Sequence, residues 1–391
     1  MVIGQFCDTY PPTVDGVGRV TLSYCRTLAE LGHEAYYIAP QSKDGTEVYG
    51  IPVILSASLP VPGELFRMGV PGLDAKFQKA IREVPFDLVH AQDPFLAGME
   101  ASRIARKRDI PLVSTFHSKY YDDALAKTHS RALADVVVQK LVKFYDRCDG
   151  VWTVNHATAD VLRGYGFRGK ILIMENGTDP EKLSEEAALR LSERVRVKSG
   201  VPFLLFVGQH NYKKNLHGIL KACAMMKNNG KPFQLVTAGD GPDFDDIVKE
   251  AKRLGIQDDV QFLGFMSDRN ELMALYHRAD LLVFPSLYDN APMVVREAAV
   301  MGTPALVVQG SCSAEGMEDQ VNGYISPNET PEAIYETIVR ALPSVREVGE
   351  RARVSIPKSW RSIMEKVVSE YERLIDGHVS RGDSIWEELW K

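Results

Sequence analysis

Residues 284–308 read FPSLYDNAPMVVREAAVMGTPALVV, and this stretch decides how the rest of the chain is parsed. Apolar residues lead into a polar loop. Pro292 then suits the first position of a helix, because its missing N–H would be unpaired there anyway. A helix is expected through Met293, Val294, Val295, Glu297, Ala298 and Ala299. Gly302 stops it before a new apolar strand, Ala305–Val308. The stretch therefore reads strand, loop, helix, strand. It carries two carboxylates eight positions apart, Asp289 in the loop and Glu297 in the helix. A helix N-terminus presents free N–H groups and the positive end of a dipole, which suits a phosphate. A carboxylate on either side of that phosphate suits hydroxyls, and a nucleotide sugar has this layout of sugar, diphosphate and ribose. Acids also gather at helix starts for dipole reasons alone, so the pair needs the support of the remaining sequence.

The same alternation runs outward in both directions. Towards the N-terminus, strands are expected at Val2–Phe6, Ala35–Ala39, Leu88–Ala91, Leu112–Phe116, Gly150–Val154 and Ile171–Met174. Helices are expected at Val17–Leu31, Gly98–Arg108 and Leu133–Arg147. In the second half, strands are expected at Phe203–Val207, Phe233–Ala238, Val260–Phe262, Leu281–Phe284 and Ala305–Val308. Strands separated by helices imply parallel sheets with right-handed crossovers. A chain of 391 residues exceeds what one core serves. The expectation is an α/β protein of two Rossmann-like domains, residues 1–178 and 200–357, with 179–199 between them as a linker; the charge- and Ala-rich stretch 180–200 reads as a linker or a short helix. A last helical segment, about 358–391, follows the second sheet and is expected to return to the first domain. Ligands in such sheets bind at the carboxyl ends of the strands.

Composition narrows the classes. Hydrophobic residues make up 45% and charged residues 25%, ordinary globular values. The net charge of −6 offers no global attraction to nucleic acid. Residues 1–178 carry 20 basic and 20 acidic side chains, so all of that charge falls on residues 179–391. The five cysteines, Cys7, Cys25, Cys148, Cys223 and Cys312, are scattered without metal-ligand spacing. They read as reduced thiols of a cytoplasmic protein, with no structural zinc. No signal peptide and no apolar run of spanning length is read.

Five further loops follow expected strands. In Asp8–Gly18, Gly16 and Gly18 permit close backbone approach to a ligand. The spacing is not the dinucleotide fingerprint. His117 follows Leu112–Phe116 and suits a sugar hydroxyl or a proton shuttle, although a lone histidine is more often structural. Tyr120, Tyr121, Asp122 and Asp123 are either an acceptor-site wall or a polar loop. Gln209, Lys213 and Lys214 lie in VGQHNYKKN, where a lysine would meet a diphosphate as a point charge. Gly239 lies in AGDGP. Gly264, Phe265 and Met266 lie where backbone groups can read a base edge. The Asp243–Asp245 triplet falls at a helix start, and no metal is expected there.

Taken in order, PPTVDGVGRV, LAELGHEAYYIAP, STFHS, ENGTD, FVGQHNYKKN, AGDGP, FLGFMS, the Asp289–Glu297 segment, MGTPALVV and VNGY resemble the retaining glycosyltransferases of family 4. The resemblance spans nearly the whole chain. It implies the GT-B fold, two Rossmann-like domains facing across a cleft. It implies that Glu297 holds the ribose hydroxyls and Asp289 faces the transferred sugar. The segment Asn290, Ala291, Pro292, Met293 and Val294 would lie against sugar and diphosphate. Lys214 matches the phosphate-binding lysine, and His117 the active-site histidine near the sugar. Gly16 and Gly18 would approach the diphosphate from the first domain. No cofactor or metal is implied; the nucleotide diphosphate sugar is a substrate.

Two positions depart from the family pattern. Asp289 stands where a glutamate is usual, one methylene shorter. Gln209 stands where an arginine is usual, leaving Lys214 to stabilise the leaving group more alone. The DGVGRV and YDNAPMVVREAA runs look most like bacterial diacylglycerol glucosyltransferases. That implies UDP-glucose as donor, a membrane lipid as hydroxyl acceptor and a peripheral contact with the inner face of the plasma membrane. Arg103, Arg106, Lys107 and Arg108 suit a basic membrane-facing edge or a solvated helix end. A nucleotide-sugar 2-epimerase, a transferase to a glycan or small molecule, and a weakly catalytic sugar-nucleotide binder remain open.

Overall fold

The computed structural model describes residues 1–10, 16–42, 50–61, 67–179 and 183–378. The chain divides into two units, Met1–Gly177 with the segment from Trp360 onward, and Thr178–Ser359.

The first unit runs β1 (Val2–Phe6), α1 (Gly16–Glu30), β2 (Glu34–Pro40), β3 (Val53–Ser56), β4 (Ser58–Pro60), β5 (Arg67–Gly69), α2 (Ala75–Glu83), β6 (Leu88–Ala91), α3 (Leu96–Arg108), β7 (Leu112–Phe116), α4 (Tyr120–Thr128), α5 (Arg131–Tyr145), β8 (Gly150–Thr153), α6 (His156–Gly164) and β9 (Leu172–Ile173). Its main sheet has the order β3-β2-β1-β6-β7-β8-β9, and every pairing in it is parallel. Strands β6 and β7 are buried along their whole length, as expected of a sheet covered on both faces. The antiparallel pair β4–β5 and the edge strand β3 were not expected from the sequence. They are short and partly exposed, so they lack the apolar runs that betray the central strands.

The C-terminal helix, Trp360–Asp376, belongs to this first unit. Trp360, Ile363, Met364, Val367, Tyr371 and Leu374 recur at helical spacing and are buried. They pack with Tyr24, Cys25 and Leu28 of α1 and with Trp152 of β8 on one face of the sheet. Gly177 lies where a Cβ would sit 2.6 Å from the Trp360 Cα, so that crossing requires glycine.

The second unit runs α7 (Glu185–Arg194), β10 (Phe203–Val207), α8 (Leu216–Asn228), β11 (Gln234–Ala238), α9 (Phe244–Arg253), β12 (Val260–Phe262), α10 (Arg269–Arg278), β13 (Leu281–Val283), α11 (Met293–Val300), β14 (Ala305–Val308), β15 (Tyr324–Ser326), α12 (Pro331–Ala341) and α13 (Val345–Ser355). The sheet order is β12-β11-β10-β13-β14-β15, again with parallel pairings throughout. Of the two readings of 179–199, the short helix is found, as α7, and the linker is corrected. Ala187, Leu191 and Val195 are buried, and Leu191 and Val195 join the core of this unit. Arg190 and Arg194 of α7 both pair with the buried Glu271 of α10, at 2.9 and 2.6 Å. Two arginines on one buried carboxylate make α7 part of the domain rather than a tether.

Candidate active site

Strand order reverses once in each sheet, between β1 and β6 and between β10 and β13. Loops leaving the carboxyl ends on either side of such a reversal diverge to opposite faces and open a crevice between them. In the second unit those loops are residues 208–215 and 284–292. Lys214 comes from the first and Asp289 from the second.

The Lys214 Nζ donates to Asp289 Oδ1. Both side chains are less than one-fifth exposed. Asp289 Oδ2 is buried and accepts no hydrogen bond among the described residues. The Lys213 ammonium lies over the Tyr288 ring, 3.9 Å from its centroid, so the neighbouring lysine is engaged as a cation–π partner. Lys214, the lysine that the resemblance singles out, is the one joined to the candidate carboxylate. Pro292 sits at the N-cap of α11, one residue earlier than expected, with an extended ψ of 118°. Asn290, Ala291, Met293 and Val294 are partly buried around that helix start.

Glu297 lies one turn into α11 and is buried. Its Oε1 accepts from Arg269 Nη1 at 2.8 Å and its Oε2 from the Tyr276 hydroxyl at 3.0 Å. An ionised carboxylate offers about four acceptor positions, so these two donors orient it and leave acceptor capacity on both oxygens. Arg269 and Tyr276 escaped the sequence reading. The available signal was the run Asp268-Arg269-Asn270-Glu271, a helix start whose Asp268 side chain accepts from the Asn270 and Glu271 amides.

Three glycine turns follow the neighbouring strands in register. The Gly208 N–H donates to Ala238 O, and the Gly239 N–H donates to Gly264 O at 2.8 Å. Gly239 has φ 139°, and a Cβ there would lie 1.9 Å from the Gly208 carbonyl oxygen. Phe265 is exposed while Met266 turns into the core. Gln209 is exposed and accepts from Asn211 Nδ2. His210, beside it, is fully buried against Phe206, Phe244 and Phe262. Burial lowers its pKa, and its Nε2 meets Thr237 Oγ1 at 3.1 Å. His210 is therefore a core residue and does not replace the missing arginine.

In the first unit, His117 follows β7 and is buried, with its pKa pushed down to about 4 by burial. It is the neutral imidazole at pH 7. Its Nε2 bonds to Gln92 Oε1 at 2.9 Å. The loops at the reversal of this sheet are also tied: Asp93 Oδ2 accepts from the Asp8 N–H at 3.0 Å and the Cys7 thiol at 3.3 Å. Gly16 and Gly18 were expected in a turn before the first helix. They instead form its first turn, without positive φ, and the buried Gly18 carbonyl accepts from the Tyr37 hydroxyl. Residues 11–15 of that loop lie outside the described residues. Tyr120 to Asp123 are the start of helix α4, with both acids in its first turn, and not a loop. The expected basic edge on α3 is largely consumed. Arg103 pairs with the buried Glu100, and Arg108 donates to the carbonyls of Ile81 and Val84. Only Arg106 and Lys107 of that set are exposed. The Asp243–Asp245 triplet caps and begins α9.

Residues 14–182 match the family described as Glycosyltransferase Family 4, and residues 189–353 match Glycosyl transferases group 1. Alpha-monoglucosyldiacylglycerol synthase of Streptococcus pneumoniae is 26% identical, covering 89% of this chain and 80% of that protein. The protein of Bacillus subtilis described as "Putative glycosyltransferase EpsF" is 32% identical over 70% of this chain and 71% of its own. Among solved structures, Anabaena HepE in complex with UDP-glucose superposes with TM-score 0.76 at 18% identity, covering 96% of this chain and all of that one. Sucrose-phosphate synthase of Thermosynechococcus elongatus superposes with TM-score 0.78 at 17% identity, covering 96% and 99%. These structural likenesses carry the fold. The chain belongs to the family 4 glycosyltransferases and is a hexosyltransferase of GT-B fold.

Proposed function

We propose that this enzyme moves a glucosyl group from UDP-glucose to the hydroxyl of a membrane lipid such as diacylglycerol, with retention at the anomeric carbon. The observation that carries the reading is the Lys214–Asp289 pair at the sheet reversal, one short loop before the N-terminus of α11. Lys214 and the α11 N–H groups stabilise the departing diphosphate, and Glu297 holds the ribose. Asp289 faces the sugar through its buried Oδ2. In the reaction the bond from C1 to the diphosphate breaks. The acceptor oxygen bonds C1 on the same face, and its proton passes to the departing phosphate oxygen. Charge compensation rests on these protein groups, so the reaction needs no metal.

The lipid acceptor is supported by the name of the pneumococcal relative and by one face of α5. Leu133 and Val136 are exposed there, on the same face as the exposed Lys140 and Lys143. Apolar and basic residues on one helical face suit an anionic bilayer. Among the described residues no helix is long and apolar enough to cross a membrane. The proposed place of action is the inner surface of the plasma membrane, reached peripherally through that face of α5.

The test is UDP release from UDP-glucose with and without diacylglycerol in anionic vesicles, with the anomeric configuration of the product read by NMR. Release that accelerates with diacylglycerol and an α-linked glucolipid support the reading. Release that accelerates only with a glycan or a soluble alcohol would overturn the lipid acceptor. A β-linked product would overturn retention.

A further inference from the structure

Six of the exposed large apolar side chains of the first unit lie together. Leu59 and Met68 are directly opposite each other in the β4–β5 pair, so both stand on one face of it. Leu73 ends the short turn Pro71–Leu73 that follows β5 and is 90% exposed. Phe95, Leu96 and Met99 stand at the start of α3 and are exposed as well. The two segments meet. Gln78 Nε2 donates to the Pro71 carbonyl and to Glu100 Oε1, both at 3.0 Å, which ties the turn to α3. Between β5, that turn and α3 lies an apolar cleft of about 260 Å³, open to solvent and lined by Phe6, Ile38, Pro40, Gly69, Phe77 and Leu96 among others.

Single exposed apolar residues are ordinary, but a patch of them with an apolar floor marks a contact surface. The carboxylates that border it are taken up by the protein. Glu100 accepts from Arg103 and Gln78, and Asp8 Oδ1 accepts from the Ala97 amide. Asp74, next to Leu73, accepts from the amides of Ala57, Lys76 and Phe77. The exposed charges of helix α2, next in the chain, are Lys76, Lys79, Arg82 and Glu83, three basic and one acidic. Apolar side chains beside exposed basic ones suit an anionic bilayer. A second copy of this chain suits the patch less, because an isologous contact sets the same surface of each copy together and so brings their α2 lysines together. Phe95 lies edge-on to Tyr120 of α4, centroids 5.1 Å apart, and α4 packs on α5. The patch therefore adjoins the helix pair that carries Leu133 and Val136.

We propose that this patch is a membrane-insertion surface: Leu59, Met68, Leu73, Leu96 and Met99 enter the acyl layer of an anionic bilayer, the cleft receives acyl methylenes, and the basic residues of α2 meet the headgroups. The use of this contact rests on the proposed lipid acceptor; insertion itself is a property of the first unit alone.

The experiment uses the full chain with vesicles of phosphatidylglycerol and phosphatidylcholine. Wild-type protein should sediment with them. Leu73→Ser/Met99→Ser should bind about tenfold or more weakly, because two apolar side chains no longer leave water. Both positions face solvent, so the melting temperature should stay that of the wild type. Lys76→Gln/Lys79→Gln should weaken binding about fivefold per lysine, and only where phosphatidylglycerol is present. Leu73→Trp reports depth directly: bromine on the acyl chains should quench its emission beyond the quenching seen in the wild type. Bound protein without that added quenching overturns insertion at this patch, as does an absence of vesicle binding. If Leu133→Ser/Val136→Ser releases the protein from vesicles and Leu73→Ser/Met99→Ser does not, the membrane reading stands and this surface fails. If Leu73→Trp is quenched but glucose passes only to a glycan or a soluble alcohol, the surface stands and the lipid acceptor fails. A dimer in sedimentation that dissociates in Leu73→Ser/Met99→Ser, with vesicle binding unchanged, overturns insertion in favour of a second copy.

Discussion

Lys214 and Asp289 are bonded to each other across the strand reversal of the second sheet, 75 positions apart in sequence. The pair neutralises itself in the structure described here. In the proposed reaction the ammonium faces a diphosphate, and the contact with Asp289 is what fixes the flexible lysine stem beforehand.

Lys214→Ala is expected to lower kcat/KM for sugar transfer by roughly 10²–10³-fold, the size of effect seen when one preorganised donor to a developing charge is lost. Asp289→Asn should lower transfer as well but leave UDP affinity unchanged or tighter, because Lys214 is then no longer neutralised. The double variant should be far less than additive, since the two side chains are in contact. Steady-state kinetics and titration calorimetry with UDP check this, and additive losses would mean that the pair does not act as a unit.

Glu297→Gln preserves shape but removes the charge that Arg269 and Tyr276 orient. UDP affinity should fall about tenfold, corresponding to about 1.4 kcal/mol. Arg269→Ala strips one donor from a buried carboxylate. Because the arginine itself is 41% exposed, the loss of stability should stay near 1 kcal/mol. Thermal melts with and without UDP separate the two effects.

Acid should destabilise the protein through His117. Its folded pKa of about 4 lies below the ordinary histidine value of 6.5. A group with a depressed folded pKa contributes stability above its unfolded pKa, and that stability is lost as pH falls towards the folded one. The window is therefore pH 6.5 to about 4, and the loss is on the order of 3 kcal/mol for His117. His90, lowered in the same direction by burial, adds to it. The fall in melting temperature over this window should be smaller in His117→Gln. Equal falls in the two proteins would argue against a buried neutral His117.

Gly239→Ala should be strongly destabilising or prevent folding of the second unit. The new Cβ meets the Gly208 carbonyl, and the positive φ adds strain. Gly264→Ala, whose Cβ enters open space, pays only for its positive φ of 70°. Its cost should be about 1–3 kcal/mol. Urea unfolding of the two variants measures the difference.

EDTA should leave the rate of transfer unchanged if Lys214 and the α11 N-terminus supply the charge compensation. A rate restored only by added Mg²⁺ or Mn²⁺ would require a metal in the reaction.

The central strands were legible because parallel strands covered on both faces must be continuously apolar, as FLLFV at Phe203–Val207 is. The C-terminal helix was legible from its apolar spacing. Strands β3 to β5, the edge strand β15 and helices α2, α4 and α6 were missed, because short elements carry mixed sequences and depend on their neighbours. The sequence left 180–200 open between a linker and a short helix because Ala187 and Leu191 are too few to mark a core helix among so many charges.

By itself the sequence determined the two alternating α/β units, the order of the motifs and the residue types available at each strand end. Local backbone preference and apolar periodicity suffice for that, since both act over a few residues. Only the tertiary structure decided that Lys214 bonds to Asp289, that Arg269 and Tyr276 hold Glu297, and that His210 belongs to the core. These are contacts between side chains tens of positions apart. They exist because parallel crossovers bring the carboxyl ends of distant strands together, and no local signal in the chain records which side chains then face each other.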